Sequence, residues 1–324
     1  MRTRLTELLG VEHPVMLAGM GGVSYHQLVA AVSEAGGFGC LGASTMGRDQ
    51  MVAEMAEVRA RTAKPFGVDL LTAMPGDMVK QVELVIAGGA SVFVAGLGVP
   101  VEVVDLCHRN GLLVVNMCGK VLHARKAVDA GCDIVVAQGT EAGGHTGQVA
   151  TMPLVPQIVD AVGDRVPVVA AGGIFDGRGL AAALALGAEG VWVGTRFIAT
   201  PEARSVVGYK DALLRSAEDG TTISRAYSGK TMRVVRNEYT RLFEEQPDEL
   251  QPFPGQLGRS IGDKAFHLGG DEHTPEVDPQ RECYPAGQGV GAIEELVPAA
   301  ELVRRFVDEA QQTLERLGDL VVRA

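Results

Sequence analysis

The chain has 324 residues, 46% of them hydrophobic, and a formal net charge of −11, which describes an acidic globular protein with a large core. The negative charge excludes polyanion binders such as nucleic-acid or acidic-membrane proteins, and the single tryptophan and 5% aromatic content disfavour a base-stacking surface. The five cysteines are odd in number and form no Cys-x-x-Cys pair, so we expect reduced, mostly buried thiols in a cytoplasmic protein.

The N-terminal part of the chain contains no segment that we interpret as a signal or a membrane anchor. Met1–Gly10 alternates charged and short apolar pieces, unlike a signal peptide. Residues 84–101 are uncharged and just long enough to span a bilayer, but glycines and a proline interrupt them. We therefore expect a helix end, a strand and a new helix start there.

Apolar runs typical of buried parallel strands recur along the first two thirds of the chain. They are His13–Met20, Phe38–Ala43, Pro65–Leu71, Ser91–Gly98, Leu112–Gly119, Asp133–Gly139, Val166–Gly173 and Gly190–Phe197. Amphipathic or alanine-rich stretches of helical length lie between them, at 26–36, 49–62, 76–88, 100–110, 121–131, 153–163 and 177–187. This alternation, at about 25 residues per unit, predicts an α/β fold in the form of a closed (β/α)8 TIM barrel. An open Rossmann sheet is the alternative, but no Gly-x-Gly-x-x-Gly follows the first strand.

The sixth predicted strand runs into a glycine-rich loop, Gln138–Gly147, which holds four glycines and His145. The C-terminal ends of barrel strands carry the active site, and glycines allow a ligand to approach the backbone closely. We therefore predict a binding loop in which His145 exchanges protons near neutral pH. For this segment alone, the alternative is a glycine-rich turn with a surface histidine.

The seventh and eighth predicted strands also end in small residues, Gly172-Gly173 and Gly194-Thr195. Each pair is followed by a predicted helix start, so backbone N–H groups should converge between them. Loops after the last two strands are the usual phosphate site of such barrels. We predict a phosphate-binding site there.

The regular alternation stops after the eighth strand. We predict a helix over Glu202–Ala217, and then an irregular region that contains the basic stretch Lys230–Arg236 and a Pro/Gly/Gln-rich section, Gln246–Gly262. A long insertion at the catalytic face of an apolar chain favours a lid. The basic stretch is either a solvated face or a contact for a substrate phosphate.

The last predicted helix, Pro298–Leu317, is amphipathic. Its apolar face consists of Leu302, Val303, Phe306, Ala310 and Leu314. We expect this helix to return to the barrel wall. The predicted domains are thus a barrel of residues 1–204 and 285–324, and a smaller lid or substrate subdomain of residues 205–284.

The loop Ala137–Gly147 resembles the signature loop of the nitronate monooxygenase family, formerly called 2-nitropropane dioxygenases. The resemblance covers almost the whole chain and includes His13-Pro14-Val15, Phe66-Gly67-Val68, Ala170–Ile174, Val193–Phe197, Thr221-Thr222-Ile223 and Ala286-Gly287-Gln288. It implies an FMN-dependent (β/α)8 barrel, related to flavin-dependent enoyl-acyl carrier protein reductases and an NADH:quinone reductase.

The resemblance also implies roles for individual residues. His145 takes the place of the catalytic histidine, and the expected FMN phosphate cradle is Gly172, Gly173, Gly194 and Thr195. The other expected cofactor-binding residues are Gln138 and Gly143 at the flavin ring and ribityl chain, Ala18, Gly19 and Met20 beside the flavin, and Gly144, Trp192 and Val193. No metal ligand is expected.

One position departs from the family pattern, because Asp69 stands where asparagine is common after Phe66-Gly67-Val68. An ionised carboxylate accepts a hydrogen bond from flavin N3–H or a ribityl hydroxyl but donates none. Near flavin N1 it would disfavour negative charge on the reduced ring. The departure bears on the flavin potential more than on flavin binding.

The reaction implied by the resemblance is the oxidation of alkyl nitronates with O2 to carbonyl compounds and nitrite. His145 would act as a base or as a donor to an oxyanion, and a small pocket with a histidine able to carry positive charge suits a nitronate anion. The alternatives are an NAD(P)H-dependent enoyl-thioester reductase, for acyl carrier protein or CoA substrates, and a quinone reductase. A flavin-storing barrel has no need of a positioned histidine. We expect small-molecule partners, neither nucleic acid nor membrane, and a possible homodimer.

Overall fold

The structure is a computed structural model that describes residues 1–72, 77–98 and 101–320. Its strands are β1 (Val15–Leu17), β2 (Gly39–Gly42), β3 (Phe66–Leu71), β4 (Val92–Gly96), β5 (Leu113–Cys118), β6 (Ile134–Gln138), β7 (Gly144–His145), β8 (Val168–Ala171), β9 (Gly190–Val193), β10 (Thr221–Ser224) and β11 (Met232–Val235). Its α-helices are α1 (Arg4–Leu9), α2 (His26–Glu34), α3 (Arg48–Arg61), α4 (Met78–Ala87), α5 (Val104–Arg109), α6 (Val121–Asp129), α7 (Thr151–Val162), α8 (Gly177–Ala185), α9 (Thr195–Ile198), α10 (Tyr209–Leu214), α11 (Glu238–Glu245), α12 (Gly255–Gly262) and α13 (Ala299–Asp319).

A closed parallel barrel confirms the predicted fold class. Its strands run in the order β1-β9-β8-β6-β5-β4-β3-β2. A parallel bridge between Met16 and Phe38 joins the two ends of this order, and the Leu17 N–H donates to the Phe38 carbonyl at 2.8 Å. The predicted starts of two helices, at residues 76 and 100, lie outside the described residues.

The third predicted strand ends correctly at Leu71, but the other seven extend too far at their C-terminal ends. Gly172 and Gly173 have φ angles of 104° and 71°, which end β8. Residues 195–197, taken as the end of the eighth strand, belong to α9. Loop residues at these ends are as apolar or as small as the strand residues, so the sequence pattern does not separate them.

The barrel buries two layers of side chains because successive strand residues point to opposite faces. Met16, Phe38, Val94, Val136 and Trp192 belong to the interior layer, which Leu5 and Leu9 of α1 also enter. A larger layer lies between the strands and the outer helices. This rigid double layer holds the strand ends, and therefore the loops of the site, in place.

The last helix, α13, packs on the barrel wall as predicted. It lies against α8 and α2, with Phe306 fully buried and its ring 6.5 Å from that of Phe197. A Cβ on Gly177 would lie 2.5 Å from the Phe306 carbonyl oxygen, so the absence of a side chain there lets α8 approach α13. Of the predicted apolar face, Leu302, Val303, Phe306 and Ala310 are buried, and Leu314 is half-buried.

The helix predicted over Glu202–Ala217 is wrong in extent. Only α10 (Tyr209–Leu214) is helical, and Gly208 before it has a φ of 81°, which interrupts the helix. The basic stretch Lys230–Arg236 contains a strand, β11, which pairs antiparallel with β10 on one side and with β7 on the other. The segment 205–284 is thus joined to the His145 loop by a sheet.

The 205–284 segment has a small hydrophobic core of its own. Tyr227, Tyr239 and Phe243 form it together with Met232 and Cys283. The ring centroids of Tyr227 and Tyr239 lie 5.2 Å apart.

All five cysteines of the chain are free and buried, as expected. Among the described helices, none is long and apolar enough to cross a membrane.

Candidate active site

A cavity of about 680 Å³ opens at the C-terminal ends of the barrel strands. With one exception, the predicted site residues line it: Ala18, Gly19, Met20, Asp69, Gln138, Gly143, Gly144, His145, Gly172, Gly173, Trp192, Gly194 and Thr195. They lie in or directly after five barrel strands, β1, β3, β6, β8 and β9, or in the loop that follows β6, and barrel closure brings them together.

Val193 is the exception, so its expected place in the cofactor site is corrected. Trp192 faces the barrel interior, and the next side chain, Val193, therefore points outward into the layer under the helices. Its backbone carbonyl accepts the N–H of Ala18 at 2.9 Å. Val193 supports the first-strand loop and does not line the cavity.

The ends of β8 and β9 form a glycine cradle, Gly172-Gly173 and Gly194-Thr195. Within the described part of the chain, the N–H groups of these four residues donate to no protein acceptor. A Cβ on Gly172 would lie 2.8 Å from Thr151 Oγ1, and a Cβ on Gly194 would lie 3.3 Å from Met20 Sδ. Free donors on closely packed backbone fit an anionic group such as a phosphate.

The helix α8 does not contribute its N-terminus to this cradle, in contrast to the sequence prediction. The Gly179 N–H donates to Asp176 Oδ1 at 3.1 Å, and the Gly177 N–H donates to Glu309 Oε2 at 2.9 Å. Two carboxylates therefore occupy this helix end, where an anion would be repelled. The donors of the cradle are those of the loop after β8 and of the start of α9, which begins at Thr195 with Gly194 as its N-cap.

The segment 286–288 closes the cradle on its outer side. Its Gly287 N–H donates to Thr195 Oγ1 at 2.9 Å, and the Gln288 N–H donates to the Glu141 carbonyl at 2.9 Å. A Cβ on Gly143 would lie 2.8 Å from the Ala286 carbonyl carbon. Gly143 therefore lets the His145 loop lie against this segment.

Asp69 is a buried carboxyl at the end of β3, with 9% of its surface exposed. Among the described residues, its Oδ1 has no hydrogen-bond partner. Desolvation raises the pKa of Asp69 to about 8, so the group is mostly protonated at neutral pH. The expectation of an ionised carboxylate is thus corrected: Asp69 can donate a hydrogen bond to a ligand.

His145 lies on β7, opposite Met232 of β11. The side chain of Gln138 donates from Nε2 to the His145 carbonyl at 2.7 Å, which fixes the backbone of the loop. The His145 Nε2 lies 3.2 Å from Ser228 Oγ, and the same hydroxyl lies 3.2 Å from the Lys230 carbonyl oxygen. Ser228 therefore fixes the orientation of the imidazole.

Burial, and then the charge of Lys230, lower the pKa of His145 to about 4. The imidazole is therefore neutral at neutral pH, whereas we expected a histidine able to carry positive charge. A neutral imidazole can still donate one hydrogen bond to an oxygen. The positive charge in this part of the cavity belongs to Lys230.

Arg233 ties the His145 loop to the 205–284 segment. It is 6% exposed, and its Nε donates to the Thr140 carbonyl at 2.9 Å. Its Nη1 donates to Oγ1 of Thr221, on the neighbouring strand β10, at 3.3 Å. Among the basic residues of this stretch, Arg233 thus positions the loop, and Lys230 faces the cavity.

Sequence reasoning missed the cavity residues of the 205–284 segment. Four of them, Phe253, Leu257, Phe266 and Leu268, form what we call the apolar wall. The Lys230 ammonium lies 4.2 Å from the centroid of the Phe253 ring. Phe253, Phe266 and Leu268 lie in irregular chain and Leu257 lies on the short helix α12, so no periodic pattern in the sequence marks them as facing a cavity. For Lys230, the basic composition was a usable signal.

The chain matches the family model described as nitronate monooxygenase over residues 2–81 and 71–309. A relative from Mycobacterium tuberculosis is the (3aS,4S,5R,7aS)-5-hydroxy-7a-methyl-1-oxo-octahydro-1H-indene-4-carboxyl-CoA dehydrogenase. The two sequences are 43% identical over 245 residues, and the aligned region covers 75% of this chain and 69% of the relative.

Two solved structures are similar along their whole length. FabK of Thermotoga maritima has a TM-score of 0.89 and 35% identity, covering 99% of this chain and 100% of that one. The nitroalkane oxidase of Streptomyces ansochromogenes has a TM-score of 0.83 and 31% identity, covering 97% of this chain and 100% of that one. The chain therefore belongs to the nitronate monooxygenase family, and it is a flavin-dependent oxidoreductase.

Proposed function

We propose that this protein binds FMN and catalyses the oxidation or reduction of an acyl thioester next to its carbonyl group. The observation that carries this proposal is the apolar wall, which lines the same cavity as the glycine cradle. A compartment lined by two phenylalanines and two leucines favours an apolar acyl chain over a small anion. The named CoA-ester dehydrogenase relative acts on a bicyclic acyl group, which supports the same substrate class.

FMN fits the residues that are present. The free N–H donors of Gly172, Gly173, Gly194 and Thr195, together with the missing Cβ atoms of the three glycines, suit one phosphate. The unpartnered Oδ1 of Asp69 suits a polar edge of the ring. A single cradle favours FMN over FAD, which would bring a second phosphate. When bound, FMN would supply the two-electron chemistry, with NAD(P)H as the other electron partner.

The chain's own residues would then bind and polarise the substrate. With the Ser228 hydroxyl donating to Nε2, the neutral His145 would carry its one proton on Nδ1 and donate it to the thioester oxygen, where negative charge grows during the reaction. Lys230 would stabilise the same charge from nearby, because it already acts on His145 through space. Ser228 and Gln138 would keep the imidazole and its loop in position.

The segment 205–284 would act as the substrate lid. Support comes from its separate core and from the β7–β11 pairing, which connects it directly to the catalytic loop. The apolar wall belongs to this segment, so the choice of substrate would depend on it. Its closure over the cavity would exclude water from the reacting groups.

Nitronate oxidation with O2, the reaction expected from the family resemblance, is the second candidate. Lys230 beside His145 favours it, since a nitronate is an anion and needs a positive charge in a desolvated site. The apolar wall would then have no function in recognition. We therefore rank this reaction behind the thioester reaction.

The test is anaerobic and uses the flavin absorbance as its readout. Octanoyl-CoA, NADH, NADPH and propyl nitronate are mixed separately with the oxidised holoenzyme, and 2-octenoyl-CoA is then added to any reduced sample. We expect bleaching by octanoyl-CoA, or bleaching by NADH or NADPH followed by reoxidation with octenoyl-CoA. Bleaching by propyl nitronate alone would establish the second candidate instead.

A paired variant links the reaction to the apolar wall. Leu257→Trp should shift the preference towards shorter acyl chains, because the larger side chain fills the compartment. Leu122→Trp is the control, since Leu122 is exposed on α6, away from the cavity. An unchanged chain-length preference in Leu257→Trp would remove the apolar wall from the argument.

A further inference from the structure

A second histidine, His267, faces the cavity and is held by a buried carboxylate, Glu282. Glu282 is 1% exposed. It accepts two hydrogen bonds from the same residue: the His267 backbone N–H donates to Oε1 at 3.0 Å, and Nδ1 lies 2.6 Å from Oε2. Removing a carboxylate from water costs several kcal/mol, which good pairing offsets. The two hydrogen bonds from His267 provide that pairing for Glu282.

The carboxylate determines which ring nitrogen is available. Oε2 of an ionised Glu282 only accepts, so Nδ1 of His267 carries a proton. In the neutral ring Nε2 then has a free lone pair, and within the described residues it has no protein partner. Burial raises the pKa of Glu282, while its two bonds to His267 act in the opposite direction. The pair has the form of a carboxylate-oriented base.

The two histidines reach the cavity from different walls. His145 follows β6, whereas the loop after His267 lies over the ends of β1 and β2. Two close approaches show this: a Cβ on Gly22, after β1, would be 3.4 Å from the Gly269 Cα. A Cβ on Gly269 would be 3.3 Å from the Oγ1 of Thr45, after β2. In the barrel order, β6 lies across from these strands.

The small core of the 205–284 segment connects the two histidines. The ring of Phe266, the neighbour of His267, lies 6.0 Å from that of Tyr227. Tyr227 precedes Ser228, which contacts His145. A substrate in the cavity can therefore lie between two imidazoles whose orientations are fixed by one unit of structure.

We propose that His267, positioned by Glu282, is the proton acceptor for the carbon acid substrate, and that His145 is the hydrogen-bond donor to its oxygen. This rests on the proposed function, since the α-carbon of an acyl thioester is such an acid. The α C–H bond breaks, its proton goes to Nε2 of His267, and its electron pair stays on the substrate as an enolate. The His145 N–H bonds to the enolate oxygen. In the reductive direction the same proton returns from Nε2 to the α-carbon.

The lowered pKa of His145 supports this division. A general base works best when its pKa lies near the operating pH, and a value of about 4 makes His145 a weak proton acceptor. Its neutral N–H is, however, suited to stabilise an oxyanion. Another group is then needed for the proton, and His267 is oriented for it.

The test measures exchange of the α-hydrogen for deuterium. The anaerobic holoenzyme in D2O is incubated with octanoyl-CoA or with 1-nitropropane, a second carbon acid, and the substrate is followed by proton NMR. We expect His267→Gln to lower the exchange rate by about 10²–10⁴-fold with flavin content unchanged. Glu282→Gln should lower it less. The control is His273→Gln, since His273 is exposed and outside the cavity wall; it should behave as the wild type.

Rescue by imidazole keeps the test informative if the His267→Gln variant fails to fold. Added imidazole should restore exchange to His267→Ala but not to His145→Ala. Wild-type exchange in His267→Gln, or no exchange of either probe by the wild type, overturns the proposal. Exchange without any flavin bleaching leaves His267 as the base and refutes the thioester redox reaction instead, so the two failures are distinguishable.

Discussion

The replacement Asp69→Asn tests the electrostatics of the cavity most directly. The pKa of Asp69 is about 8 in the folded protein, compared with its ordinary value of 3.8. Between these two pH values the unfolded chain has lost the proton while the folded protein keeps it. The folded state binds more protons, so stability falls as pH rises through this window and is constant above about pH 8.

The size of the effect follows from the two pKa values. Each pH unit inside the window costs about 1.4 kcal/mol, which gives a penalty of about 4 kcal/mol at pH 7. Asparagine has no such penalty, so its advantage over the wild type should grow by about 3–4 kcal/mol between pH 5 and pH 8. The amide replaces the carboxyl at nearly equal volume, and its own loss of hydrogen bonds is the same at both pH values.

The assay is urea unfolding of the flavin-free protein, which avoids the stabilisation that a bound cofactor adds. Wild type, Asp69→Asn and the control Asp219→Asn are compared at pH 5, 6, 7 and 8. Asp219 is exposed in the turn before β10, and the control should follow the wild type. Parallel pH profiles for wild type and Asp69→Asn would refute the reasoning, because an ionised Asp69 would then be tolerated in the folded state.

Three further predictions concern the cradle, the histidine and the barrel wall. Gly194→Val should reduce FMN occupancy, because a side chain on the cradle crowds the cavity wall: its Cβ would lie 3.3 Å from Met20 Sδ and 3.5 Å from the Ala18 Cβ. The fold should be retained, because the backbone φ of Gly194 is negative. Bound flavin per protein measures the effect, and the control Gly258→Val, with open space around its Cβ, should retain the wild-type content. His145→Ala should lower turnover by about 10²–10⁴-fold while flavin stays bound, and Ser228→Ala should lower it less; equal losses would contradict a positioning role for Ser228. Phe306→Ala should destabilise the protein by about 3–5 kcal/mol in urea unfolding, and a loss under 1 kcal/mol would contradict tight packing of α13 on the barrel.

The barrel and its cradle were predictable because their signals are local. Strands buried on both faces appear as continuous apolar runs, and the glycines at the ends of β8 and β9 directly follow those runs. Trp192 and Val193 show where this reasoning stops. Both are apolar and adjacent, and only the pleat of β9 decides that Trp192 faces the cavity and Val193 the outer layer.

The partners of His145 were not predictable for a different reason. Ser228 is 83 positions away along the chain and reaches the imidazole only through the β7–β11 pairing. A two-residue strand such as β7 has no periodicity to detect. The Glu282–His267 pair is separated by 15 positions of irregular chain, so its existence also depends on tertiary contacts.

Closure of the cavity explains both perturbed groups near the expected flavin. The loss of water lowers the pKa of His145 to about 4 and raises that of Asp69 to about 8, so both are mainly uncharged at neutral pH. A protonated Asp69 does not oppose negative charge on a reduced flavin, in contrast to the ionised carboxylate expected from the sequence. Lys230 then acts on an imidazole that is itself neutral. Because a positive charge acts strongly in a site with little water, Lys230 would, in the proposed reaction, favour the step in which negative charge develops on the substrate oxygen beside His145.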